Sequence, residues 1–263
     1  MSLPQQHDSQ APPIRADRLS VRYDGSLALE GVSFTVAAGE RVAVVGPNGA
    51  GKTTLFKVLA GILQPAAGSV EIHGHGPGRH VCVGYVPQRA TINLDFPVSV
   101  AEVVMLGRIR EIGLLRWPKR ADWSRVDSAL TRVGMQDHRA RPIGSLSTGQ
   151  QQRVFLAQTV AQEADIVLMD EPLTGLDLPS QEIIFEILDD LRHRPVTVLV
   201  ATHDLNLASS HFDKVLLLNR RLIAYGAPQA TITPETLLEA YGGHLHVFAD
   251  GQLLVDTHHE GRQ

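Results

Sequence analysis

The stretch Gly46-Pro47-Asn48-Gly49-Ala50-Gly51-Lys52-Thr53-Thr54 constrains this chain more than any other. It fits G-x-x-x-x-G-K-[ST], a loop whose backbone N–H groups close around phosphate oxygens. The pattern has meaning only between a strand and a helix, and both flanks comply. Residues 41–45, Arg-Val-Ala-Val-Val, read as a buried strand. Residues 54–63 read as a helix with Leu55, Val58, Leu59 and Ile62 on one face. The glycines let N–H groups turn inward, and the helix N-terminus adds positive partial charge. Lys52 is then placed for the outer phosphates and the Thr53 hydroxyl for Mg²⁺.

The rest of the chain reads as an α/β core interrupted by helices. Residues 14–21 and 31–36 are expected strands, joined by a turn around Asp24-Gly25, with Gly39-Glu40 turning into the strand before the loop. Residues 69–73 and 81–86 are two more, separated by His73-Gly74-His75-Gly76-Pro77-Gly78-Arg79-His80. That segment reads as a solvated turn, against a metal site on His73, His75 and His80. From about 89 to 163 strand signals give way to helical ones. Residues 100–106 start one helix with Ser99 as N-cap, and 123–133 form another. This is a helical insertion between two halves of the core. Beyond it come a strand over 166–169, an amphipathic helix over 181–192 and a strand over 196–201. A closing hairpin over 215–219 and 222–225 and a short helix over 234–241 complete the pattern.

Composition excludes several classes. A net charge of −4 over 263 residues gives no reason to expect nucleic acid. The lone Cys82, in an apolar run, forbids an intrachain disulfide and reads as a core thiol. No run approaches the roughly 20 apolar residues of a membrane span. Residues 1–13 are polar and proline-containing, which predicts a disordered tail without a signal peptide, and a cytoplasmic location.

Two further stretches carry chemistry. The strand over 166–169 ends in Asp170-Glu171, at the carboxyl end of a strand, where parallel sheets place ligands. Asp170 suits Mg²⁺, and Glu171 suits orienting and polarising an attacking water. In Leu146-Ser147-Thr148-Gly149-Gln150, Ser147 and Gln150 match a capping box that starts a helix over 151–160. Its free N–H groups make a second anion-binding surface, far along the chain from the first.

Taken in order, these motifs resemble the nucleotide-binding subunit of an ABC transporter, across residues 15–230. Residues 146–150 are similar to that family's L-S-G-G-Q signature, with Thr148 in place of a glycine. If that position needs φ > 0, the β-branched Thr148 is strained. The resemblance implies a P-loop NTPase (RecA-like) core over 14–228 with an antiparallel β subdomain and the inserted α-helical subdomain. Residues 229–263 form a C-terminal extension. It implies ATP and Mg²⁺ as ligands, and a head-to-tail homodimer in which each ATP lies between one P-loop and the other copy's signature loop. Ser147, Gly149 and Gln150 then face the γ-phosphate across the interface. Tyr23 resembles the aromatic that stacks on adenine. Gln88 resembles the loop glutamine that senses Mg²⁺ and links to the transport channel. Asp177, in Thr174-Gly175-Leu176-Asp177, resembles the residue that steadies the opposite P-loop, and also reads as a helix N-cap. His203 resembles the switch histidine of the γ-phosphate.

The resemblance extends to the zinc and manganese importer group. It rests on residues 84–89, Asp95-Phe96-Pro97-Val98-Ser99-Val100, Val104-Met105-Leu106-Gly107-Arg108 and residues 169–177. Residues 202–208 are shared with iron-siderophore and cobalamin relatives. It implies an integral-membrane permease partner, an extracytoplasmic metal-binding protein reached through that permease, and a place on the cytoplasmic face of the membrane. The rival reading is a soluble ABC ATPase for cofactor assembly. Arg108, Arg110, Arg116, Lys119, Arg120 and Arg125, with Trp117 and Trp123, form a basic aromatic segment. It suits a permease or lipid headgroups, or simply a solvated helical face with packed tryptophans. His244, His246, His258 and His259 raise a zinc-sensing tail, although no H-x₃₋₅-H pair is present.

Overall fold

The computed structural model describes residues 11–23, 25–77, 83–88, 97–113, 115–191, 195–242, 245–247 and 253–255. The expectations for residues 1–10, Asp24, His80, Cys82, Asp95, Phe96, His244, His258 and His259 lie outside them.

β1 (Ile14–Tyr23) and β2 (Ser26–Val36) make an antiparallel hairpin. β3 (Arg41–Val45) runs through the phosphate loop into α1 (Lys52–Leu59), and β4 (Ala67–Ile72) returns to pair with β1. The result is a three-stranded antiparallel sheet of order β2-β1-β4. Sequence reasoning started the second strand at Gly31, but it begins at Ser26. Gly31 is a bulge inside it, with φ +61 and its N–H bonded to Ser20 Oγ at 3.0 Å. There the pairing slips from Val21–Leu29 to Leu19–Val32, which a glycine marks in a strand as readily as an end. α1 stops short of the expected residue 63, because Gly61 adopts φ +72 just past its end.

β5 (Val83–Val86) is followed by α2 (Val100–Leu106), α3 (Ile109–Ile112), α4 (Arg120–Arg132) and α5 (Thr148–Gln162). Ser99 caps α2 in a full capping box with Glu102. β6 (Ile166–Asp170), α6 (Leu178–Leu191), β7 (Thr197–Thr202), α7 (Leu205–His211), β8 (Lys214–Asn219) and β9 (Arg221–Gly226) complete the core. α6 begins at Leu178, three residues before the expected start. α8 (Pro228–Thr231) and α9 (Pro234–Tyr241) pack near β8 and β9, and the tail adds a hairpin of β10 (Leu245–Val247) and β11 (Leu253–Val255) that sequence reasoning did not anticipate.

The second sheet has order β5-β6-β7-β3-β8-β9, parallel except for β9. Its central strands are apolar on both faces, so they read as runs rather than alternation. One face (Val42, Val44, Leu168, Leu199, Leu216) packs with α1 and the antiparallel sheet. The other (Ala43, Val45, Val167, Met169, Val200) packs with the helical segment, α6 and α9. Both faces being covered, polar groups can collect only along the strand ends.

Candidate functional site

Strand register brings the sequence-predicted residues to one edge. Val86 lies beside Met169, Asp170 beside Ala201, and Val45 beside Thr202. The residues that follow each strand, Gln88, Glu171, His203 and Gly46, therefore emerge together at the carboxyl ends. This crevice is where an open α/β sheet binds its ligands.

The phosphate loop is built by close approach. A Cβ at Gly46 would fall on the Leu218 carbonyl oxygen, and one at Gly51 would lie 2.6 Å from Ala28 O. Gly49 and Gly51 have φ +78 and +96, conformations that only glycine adopts freely. The β8–β9 turn braces the loop, since Arg220 N–H donates to Ala50 O at 2.8 Å. Pro47, Asn48, Ala50, Thr53 and Thr54 complete the turn and the first turn of α1.

Lys52 is buried, and its ammonium donates to Gly46 O at 2.7 Å and Pro47 O at 3.2 Å. It also lies 4.0 Å from Glu171 Oε1. Burial pushes its pKa down, while the charges of Glu171 and Asp170 oppose the shift.

Asp170 is only 2% exposed, and its Oδ2 has no hydrogen-bond partner among the described residues. Burial raises its pKa, a hydrogen bond from Thr53 opposes that, and Glu171 adds to it. A buried carboxylate oxygen without a donor, next to a threonine hydroxyl, is the hard oxygen pair that suits Mg²⁺. The residues present fit that ion.

Glu171 sits at φ +51, a region non-glycine residues seldom occupy and one that concentrates at functional positions. Its N–H donates to Ala201 O at 3.0 Å. Its carboxylate accepts from Gln88 Nε2 at 3.2 Å and Thr174 Oγ1 at 3.4 Å. His203 is exposed one residue past β7, and Tyr23 is 39% exposed at the end of β1.

The second anion surface is present but separate. Ser147 caps α5: Gln150 N–H donates to Ser147 Oγ, and Ser147 N–H donates to Gln150 Oε1. Thr148 is the first helical residue and has no positive φ, so the strain expected at this position is absent. Gly149 is buried against Ser180. Asp177 caps α6 by accepting from Ser180 N–H at 3.3 Å. No contact within the chain joins Ser147 or Asp177 to Lys52 among the described residues.

Sequence reasoning missed two participants. Thr174 was quoted only within a loop motif, yet its hydroxyl reaches the Glu171 carboxylate. Tyr85, on β5, is half-buried near Asp170, and burial and that charge together push its phenol pKa up. A tyrosine in an otherwise apolar strand, one residue from its end, was the available signal. The basic segment also divides. Arg108 is 3% exposed and meets Asp122, Glu111, Glu163 and Ala161 O, so it belongs to the interior. Trp123 packs on the helical core, with Arg139 over its ring at 5.1 Å. At the opposite end of the chain's histidines, His75 Nδ1 bonds His73 O within a turn.

Comparison with known proteins bears on the same residues. The protein-family description "ABC transporter" matches residues 29–174. The chain is 43% identical over 249 residues to the manganese transport system ATP-binding protein MntB of Bacillus subtilis (strain 168), covering 94% of this chain and 99% of that one. It is 40% identical over 233 residues to the zinc transport system ATP-binding protein TroB of Treponema pallidum (strain Nichols), covering 88% of each. Among solved structures, a metal-chelate type ABC transporter in an inward-facing conformation matches with a TM-score of 0.79. It is 28% identical, over 93% of this chain and 96% of that one.

Proposed function

Because this chain belongs to the ABC transporter family, we propose that it hydrolyses ATP to drive import of a divalent metal ion, manganese or zinc, through a membrane permease. The observation that carries the reading is the meeting of Lys52, Glu171 and Gln88 around one carboxylate at the strand ends. The relatives' names supply the cargo. No helix among the described residues is long and apolar enough to cross a membrane. The relatives are named as ATP-binding proteins of transport systems, and on that likeness we read the chain as acting through a permease, from the cytoplasmic face, with cargo delivered to that permease by an extracytoplasmic binding protein.

The chemistry is phosphoryl transfer to water, accelerated by positioning and charge rather than covalent intermediates. The glycine-shaped loop offers N–H donors to the β-phosphate. Lys52 exchanges the Gly46 and Pro47 carbonyls for phosphate oxygens, a like-for-like swap of acceptors. Thr53 and Asp170, with Gln88 nearby, would hold Mg²⁺, which when bound would supply positive charge to the triphosphate. Glu171 orients the attacking water and accepts its proton. Gln88 and Thr174 both bond Glu171 Oε2, which fixes the carboxylate with Oε1 turned to the side of Lys52. His203 donates to the γ-phosphate, and Tyr23 stacks on adenine.

Half of the site is missing from a single chain. Ser147 and Gln150 bond each other in the capping box, and with Gly149 they set the positive N-terminal end of α5, a surface suited to an anion. A head-to-tail pair places them over the partner copy's ATP, with Asp177 against the partner's phosphate loop. Closure on two ATP and reopening after hydrolysis then pull on the permease.

Purification from native membranes tests the reading. A co-purifying multispan permease, together with loss of cellular manganese or zinc uptake on deletion, is the expected result. A soluble partner alone points to the cofactor-assembly alternative. Uptake defects confined to iron chelates or cobalamin assign a different cargo.

A further inference from the structure

The loop between α3 and α4 carries the two most exposed large apolar side chains among the described residues. Gly113, at φ +87, ends α3, and Arg116 N–H closes a turn on Gly113 O at 3.2 Å. The chain then re-enters at Lys119, whose N–H donates to Asp122 Oδ2 at 2.9 Å to start α4. The base of the loop is pinned from inside. Arg108, just before α3, meets Asp122 on α4 at 3.7 Å and Glu163 beyond α5 at 3.3 Å. The tip is the reverse of pinned: Leu115 is 98% exposed and Trp117 is 89% exposed. Arg116, Lys119 and Arg120 are exposed beside them, and none forms an ion pair with a carboxylate among the described residues.

We propose that this tip inserts Leu115 and Trp117 into the interfacial region of a bilayer, with Arg116, Lys119 and Arg120 on anionic lipid headgroups. Charge argues for that occupant, because three unpaired cations cluster here in a chain whose net charge is −4. The side-chain chemistry agrees. Tryptophan has an apolar body and a polar N–H, the combination that collects at membrane–water boundaries. Basic residues close to an anionic leaflet are attracted over about a Debye length. The shape disfavours a protein partner as the main occupant. Only Leu115 and Trp117 are large apolar side chains this exposed along the loop among its described residues, a small apolar patch beside the roughly 1,000 Å² that a specific protein interface needs. A lipid surface has no such threshold, since a weak contact need only add to an existing attachment. The contact would fix the rotation of the helical segment relative to the membrane plane. It does not depend on the cargo, or on ATP hydrolysis.

The test uses the full chain without nucleotide or permease. Only two tryptophans are present, so Trp123→Phe leaves Trp117 as the sole indole reporter. Vesicles of phosphatidylcholine containing a minority of phosphatidylglycerol should shift its emission to the blue and carry the protein down on sedimentation. Pure phosphatidylcholine should do neither, and raised salt should reverse the effect. Each cation contributes a factor of about five, so Arg116→Gln, Lys119→Gln and Arg120→Gln together lower partitioning on the order of a hundredfold. Trp117→Ser should weaken it while leaving lipid-free ATP turnover unchanged. Sedimentation of the unsubstituted chain gives the same answer if Trp123→Phe disturbs packing. No binding to anionic vesicles, or binding that the triple variant retains, overturns the proposal. So does protection of Trp117 that arises only in the detergent-solubilised permease complex, which would assign the loop to a protein surface.

Discussion

Asp170→Asn should make the nucleotide-free protein more stable while disabling it. Asp170 is buried, and one of its oxygens lacks a donor among the described residues. Leaving a buried acceptor unsatisfied costs about 1–3 kcal/mol, and more when it is charged. The isosteric amide removes the charge but brings an N–H pair that also needs a partner, so we take about 1 kcal/mol as the net gain. For a chain of this size that corresponds to a rise in unfolding midpoint of about 3 °C. Thermal unfolding in chelator at neutral pH measures it. The pH dependence has a defined sign. Burial raises the carboxyl's pKa in the folded state, so the folded chain holds that proton more tightly than the unfolded one. Its contribution therefore falls as pH climbs from the unfolded pKa through the raised folded one, and stays lost above it. Asp170→Asn should lack that decline. Magnesium and ATP reverse the ranking. A ligand at a hundred times its Kd adds about 2.7 kcal/mol, which the wild type should gain and the variant largely forgo. A variant that melts below the wild type without ligand, or that gains as much from MgATP, would refute the assignment of the orphaned oxygen to a cation.

Glu171→Gln should keep ATP binding, lower turnover by a factor of about 10²–10⁴, the range for loss of a general base, and accumulate as a nucleotide-bound dimer on gel filtration. Wild-type turnover would remove Glu171 from that role. Gly46→Ala should cost about 1–3 kcal/mol of stability and abolish ATP binding by calorimetry, because the new methyl meets the Leu218 carbonyl. Arg108→Met should destabilise by about 2 kcal/mol, less than a fully buried pair because Glu111 and Glu163 are half exposed. Hydrogen exchange should then speed up in α3 and α4 but not in β3; uniform exchange would contradict a local role.

Which parts of this were legible follows from how local each signal is. The phosphate loop, the strand ending at Asp170 and the capping box at Ser147 are set by neighbours within a few residues, and each stands where the sequence puts it. Gly31 was misread because a bulge and a strand end use glycine for the same backbone freedom. The positive φ of Glu171 was invisible, since it goes with a hydrogen bond from its N–H to the Ala201 carbonyl of another strand. The fate of the basic segment was equally non-local. Arg108, Arg116 and Arg120 look alike in sequence, yet the packing of α3, α4 and α5 buries the first and leaves the others outside. Thr148 shows the converse. A glycine in the family pattern made strain at Thr148 conditional on a need for φ > 0, and the capping box removes that need by making this position an ordinary first helical residue.

The glycine that does matter in the second loop is Gly149, and its reason lies inside the chain. A Cβ there would stand 2.7 Å from Ser180 Oγ and 3.1 Å from Ser180 Cβ. Ser180 N–H is in turn the donor that holds the Asp177 carboxylate, whose pKa is lowered chiefly by that serine's side chain. The start of α5 and the start of α6 are thus in contact, so the two loops proposed to reach the partner copy move as one body. Gly149→Ala should push α6 away, at about 1–3 kcal/mol for overpacking, and displace Asp177 along with Ser147. Adding Ser180→Gly opens the space again. If the double variant regains ATP turnover, the glycine serves the joint between the loops. If it regains stability but not turnover, the glycine is needed for the partner's phosphates. A single Gly149→Ala variant with unchanged melting and unchanged turnover would show that the two loops are not coupled at all.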